Sequence, residues 1–132
     1  MPTLDYHYTQ RTKKSTSDAI AALEAALTSR KFSALWHLDV GAKLKEKGLD
    51  LGPTFHIFEV CSAPHAKEAL ETNIEVGYFL PCKMVVYSKD GVTHVGLLRP
   101  QLLMDVLGEE RLQALAAHVE DQLKQAVDEA AH

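Results

Sequence analysis

No apolar run in this 132-residue chain approaches the roughly 20 residues that a membrane-spanning helix needs. The polar opening MPTLDYHYTQRTKK has no signal-peptide core. A soluble protein of the cytoplasm is the expectation. Cysteine is scarce: Cys61 and Cys82 are the only two, and in a cytosolic chain such a pair reads as free thiols rather than a structural disulfide. Glycine-rich phosphate loops, dinucleotide fingerprints and Ser-His-Asp signals are absent, which counts against nucleotide enzymes and hydrolases. There is also no Lys/Arg stripe. Residues 1 to 66 carry 8 Lys+Arg against 7 Asp+Glu and residues 67 to 132 carry 6 against 11, so halves of +1 and -5 make the net charge of -4. An acidic C-terminal half without aromatic-basic interleaving argues against phosphate-backbone binding, so nucleic acid is not an expected partner, and neither is a membrane.

What is present suits one domain, residues 1–132: no repeat, low-complexity tract or linker interrupts the chain, and 46% hydrophobic residues can fill a core of this size. Asp5 to Thr12 alternates aromatic or β-branched residues with polar ones, as a half-exposed strand does. A polar turn follows, with Ser17 as expected N-cap, and Ile20, Leu23 and Leu27 recur at helical spacing up to about Arg30. Phe32 to Val40 reads as a strand buried on at least one face, with Trp36 in the core. Ala42 to Lys47 forms a helical turn or two, closed by Gly48 and broken at Gly52-Pro53.

The central stretch, Phe55 to Cys82, holds both cysteines. FHIFEVC is a strand that Ser62-Ala63-Pro64 stops; Pro64 suits the first turn of a short helix, HAKEALET. Cys61 then precedes a helix N-terminus, a position that favours thiolate. After Gly77, YFLPCKMVVY reads as a strand with Pro81 near its start. Asp90-Gly91 makes a tight hairpin into VTHVGLL. Pro100 opens a helix through Leu107, Gly108 interrupts, and Glu109 to Ala130 is a long helix with Leu112, Leu115, Val119, Leu123 and Val127 on one face. This order means α+β with an antiparallel sheet covered on one face.

The string Val60 to Pro100, with Leu80-Pro81-Cys82, Val85-Val86-Tyr87, Asp90-Gly91 and Pro100 as they stand, resembles the bacterial and archaeal family known as domain of unknown function 302. The family more often has Asn-Pro where this chain has Ser62-Ala63-Pro64. The resemblance implies a TATA-binding-protein-like α+β fold, a curved antiparallel sheet with helices on one face, and frequently a homodimer. It implies no activity, and sharing a fold with a DNA-binding protein is no argument for binding DNA.

Three functional readings follow. In the first, a non-enzymatic module holds a small molecule or a transition metal on the sheet face near Glu59, Cys61 and Cys82, with His65 close by. Glu59 lies two residues from Cys61 and so shares its face; its plain alternative is a solvated charge. His37, His56, His65 and His94 are the imidazoles available to a metal alongside the cysteines, although no spacing matches a zinc signature. In the second, Cys82 or Cys61 is a reactive thiol for redox or sulfur transfer, against the alternative that both are small buried hydrophobes. In the third, the chain is a homodimeric interaction module without a small ligand, whose tyrosines and phenylalanines form a sheet surface.

Overall fold

The structure, a computed structural model, describes residues 5–132; residues 1–4 of the polar opening lie outside the described residues. Its elements are β1 (His7–Thr12), α1 (Thr16–Ser29), β2 (Ser33–Asp39), α2 (Val40–Glu46), β3 (Phe55–Cys61), α3 (Ala63–Thr72), a 3-10 turn at Ile74–Tyr78, β4 (Cys82–Lys89), β5 (Val92–Leu98), α4 (Pro100–Leu107) and α5 (Glu110–Ala131). The strands form one open antiparallel sheet in the order β1-β5-β4-β3-β2, so the fold is α+β as expected.

Local chemistry accounts for the boundaries. Ser15, two residues earlier than the expected Ser17, caps α1: its hydroxyl accepts the Asp18 N–H at 3.1 Å. Asp39 does the same for α2 through the Ala42 N–H at 3.0 Å. Asp90 and Gly91, at φ 54 and 78, supply the two left-handed residues of the β4–β5 hairpin. Gly108, at φ 66, ends α4.

Period-two alternation sorts the central strands into two faces. Phe58, Val60, Met84, Val86, Val95 and Leu97 point to one side and are buried with Leu23, Ala26 and Leu27 of α1 and Leu123, Ala126 and Val127 of α5. Among the described residues, α1 and α5 cover that face. The other side carries Phe55, Ile57, Val85, Tyr87 and His94, half-buried by one another, with Tyr87 stacked between Phe55 at 5.2 Å and His94 at 4.9 Å. Gly96 belongs to this ladder because Thr9 of β1 crowds it: a Cβ there would lie 2.7 Å from Thr9 Oγ1 and 3.3 Å from a Val85 methyl.

Two expectations are corrected. Trp36 is 47% exposed rather than core, because β2 is the sheet edge and Trp36 pairs opposite Glu59 on the uncovered side. The apolar run after Gly77 does not enter the sheet until Cys82. Residues 74–78 instead wind into a 3-10 turn whose first turn is capped by Asn73, accepting the Glu75 N–H at 2.9 Å. This frees Phe79 and Leu80 to pack on a second cluster, Ala69, Val76, Met104, Leu112 and Ala116, which lies beyond the sheet under α3 and α4. With 22 residues, α5 is about 33 Å long and is the one helix in both clusters.

Glu120 of α5 is 1% exposed yet charged. Its carboxylate accepts from Arg99 Nε at 3.0 Å, the Gln101 N–H at 3.2 Å and Gln101 Nε2 at 3.3 Å, and pairs with Lys124 Nζ at 3.2 Å. Arg99 also donates to the Asp5 carbonyl at 2.7 Å. The junction where the chain leaves β5 for α4 is thereby fastened to α5. Removing one partner of a buried pair leaves the other charge uncompensated. Glu120→Ala is therefore expected to lower the unfolding free energy by about 3 kcal/mol, read by chemical denaturation; a loss below about 1 kcal/mol would show the network to be dispensable.

Candidate functional site

Cys61 ends β3, Cys82 begins β4 and Leu98 ends β5, so three strands stop at the same end of the sheet. α3 starts directly after Cys61, because Ala63 and Pro64 can enter a helix without losing a backbone hydrogen bond. α4 starts directly after Arg99 with Pro100 in the same role. Both helices swing past the strand ends, and between them, the 3-10 turn and the first half of α5 lies a cavity of about 360 Å³. Its wall is mostly apolar, with Ala69, Val76, Met104 and Leu112 deepest in the second cluster. Tyr78, 89% exposed, belongs to its lining, as do Glu59 and Lys83, which are directly opposite each other on β3 and β4.

Four residues expected from sequence, Glu59, Cys61, His65 and Cys82, line this one cavity. Their setting differs from the expected sheet face: the site sits at the sheet's end, beneath helices, because the side chains of both faces meet where the strands stop. Val60 is the direct cross-strand partner of Cys82, which makes Cys61 and Cys82 diagonal neighbours, and both are free thiols. Helix-terminus activation of Cys61 is not what the surroundings produce. Burial pushes the Cys61 thiol up, and pushes Cys82 up to about 11, with the neighbouring Cys61 charge adding to it.

The remaining metal candidates are scattered. His56 lies five residues before Cys61 on an extended strand, about 16 Å away. There its Nδ1 bonds His37 Nε2 at 2.8 Å, while His37 stacks on Phe58 at 4.2 Å. Burial lowers the His56 pKa; Asp39 opposes this and His37 adds to it. His94 is on the uncovered sheet face against Tyr87. Among the described residues, no three His, Cys, Asp or Glu side chains come together as ligands for a metal.

Sequence reasoning did not single out Ser62, Phe32 or His118 as site residues. His65 stacks on Phe32 at 5.8 Å and meets His118 of α5 edge-on at 5.4 Å; its Nδ1 is buried without a hydrogen-bond partner. Ser62 stands at the N-cap of α3, is 6% exposed and lines the cavity, yet its side chain makes no capping bond. Position relative to Pro64 marks Ser62 as a cap; only the fold shows that its hydroxyl is left free. Phe32 and His118 reach His65 from positions 33 residues before it and 53 after it, which no local pattern reveals.

The family model for the domain of unknown function DUF302 matches residues 8–130. The crystal structure of an uncharacterized conserved protein DUF302 from Bacillus stearothermophilus is similar over 98% of this chain and 100% of that one, at 36% identity and a TM-score of 0.92. No curated protein matches. The chain belongs to the DUF302 family.

The raised thiols yield a direct test. With its pKa at about 11, Cys82 stays protonated through neutrality. Its alkylation by iodoacetamide at about pH 8 is expected to be more than about tenfold slower than in denaturant and to climb as pH approaches that value. Equal rates in the native and denatured protein would contradict a buried neutral thiol.

Proposed function

We propose that this member of the DUF302 family is a binding protein for a small organic molecule held in the cavity at the sheet's end. The observation that carries this reading is the cavity itself. Its volume of about 360 Å³ is that of a small-molecule site, and its apolar wall is broken by a few polar groups: Ser62, His65, the two thiols, Tyr78 and the Glu59–Lys83 pair. Burial that keeps both thiols neutral supports binding over nucleophilic or sulfur-transfer chemistry, since either needs the thiolate.

The neutral fluorophore N-phenylnaphthylamine tests the cavity without presupposing its natural ligand. Saturable one-to-one binding is expected, weakened at least about tenfold by Ala66→Phe, which fills the cavity from α3, with the thermal midpoint unchanged. Equal affinity in both proteins would remove the cavity as the site.

A second reading rests on the uncovered sheet face. Trp36, Phe55, Ile57, Val85 and Tyr87 give it a run of apolar and aromatic side chains that remain partly exposed among the described residues. An isologous homodimer would bury that run against its own copy. Sedimentation velocity at micromolar concentration is expected to show a dimer that Val85→Asp converts to monomer; a wild-type monomer at all concentrations would end this reading.

A further inference from the structure

The polar end of the cavity is the beginning of a helix left open. α3 has no acidic residue in its first turn and no side-chain cap, although Ser62 stands where a cap would be. Helix N-termini present unpaired N–H groups and the positive end of the helix dipole. Most are neutralised by a serine or aspartate oxygen. Here the Ser62 hydroxyl takes no hydrogen bond among the described residues and opens instead on the cavity, from a residue only 6% exposed. His65, three residues on, lines the same space and leaves its buried Nδ1 unpartnered. An apolar chamber therefore ends in a helix terminus, a hydroxyl without a capping bond and an imidazole.

Formal charges in the wall do not oppose an anion there. Lys83 and Glu59 are cross-strand neighbours and offset each other, and both thiols are neutral. The sign is left to the helix end, which favours a negative group. No arginine lies among the described lining residues. A dianionic phosphate is usually gripped by such a fork, so a singly charged group fits better.

We propose that the ligand is a hydrophobic carboxylic acid, its apolar body in the chamber and its carboxylate at the N-terminus of α3 against Ser62 and His65. This rests on the cavity being a binding site. In this arrangement the Ser62 hydroxyl donates to one carboxylate oxygen and the His65 backbone N–H serves the other, since Pro64 has no N–H and that of Ala66 is bonded to the Ser62 carbonyl; the ligand then supplies the cap that the chain omits. The hydrophobic body sets affinity, and the single charged end sets orientation.

Calorimetric titration with phenylbutanoate, phenylbutanol and phenylbutanamide separates the possibilities. The acid is expected to bind at least about tenfold tighter than either neutral analogue, as hydrogen bonds to a charged group are worth more than neutral ones. Ser62→Ala is expected to remove most of that preference while leaving the thermal midpoint in place, since it deletes no capping bond. Equal binding of acid and alcohol would overturn the acid assignment and leave the cavity reading intact. A preference that survives Ser62→Ala but vanishes in Lys83→Gln would move the carboxylate to the strand end and overturn its place at α3. If all three compounds fail while N-phenylnaphthylamine still binds, the ligand class is wrong; if that probe fails as well, the cavity reading falls with it.

Discussion

The Glu120 carboxylate, sealed between Arg99, Gln101 and Lys124, fastens the passage from β5 to α4 onto α5. Immediately after β5 the chain has to cross from the sheet to the helical layer. A buried charge satisfied by several donors tolerates little displacement, because each lost donor exposes the cost of burying the ion. Arg99 is thereby pinned to α5, and Pro100 starts α4 from that point in a direction that leads past the strand ends. The second cluster and the cavity depend on that heading. Were α4 to lie down on the strand ends, Met104 and Leu103 would fill the space they now border.

A division of labour between the two apolar clusters follows. The first, between the sheet and α1 with the C-terminal half of α5, is built from fully buried side chains and supplies most of the apolar burial. The second surrounds the cavity and draws on shorter elements: α3, the 3-10 turn and α4. Its residues are small or flexible at several points, Ala69, Ala116 and Met104 among them, which leaves volume where larger side chains would have closed it. α5 spans both, so the rigid layer and the hollow one are held in a fixed relation by a single helix. The uncovered sheet face is a third surface, separate in composition: stacked aromatic rings and β-branched residues rather than the mixed polar and apolar wall of the cavity.

The thiols illustrate how environment overrides position. Cys61 precedes a helix N-terminus, which by itself favours the thiolate, yet burial at the strand end drives its pKa upward. Cys82 is more deeply placed and shifts further. The same buried setting acts on any ligand: a charged group entering it needs a compensating partner in the lining.

Much of the fold was determined locally and was legible in the sequence. The helical stripes of α1 and α5, the Asp90-Gly91 hairpin, the glycine stop after α4 and the proline starts of α3 and α4 each rest on contacts within a few residues, and the α+β class follows from their order. Glu59, Cys61, His65 and Cys82 were named from one stretch of sequence, but that β3 and β4 pair and bring the four to one cavity was decided by the tertiary structure. What the tertiary structure alone decided depends on which strand becomes an edge and which helix crosses which end. Trp36 is apolar and sits in a strand-like run, but edge position exposes it. His56 shares β3 with Glu59 and Cys61 but sits toward its opposite end, and His94 lies on β5, where register turns it to the uncovered face. The freedom of the Ser62 hydroxyl and the chamber in front of it arise from α4 and α5, elements 38 residues and more further along the chain, so no local pattern could have shown them.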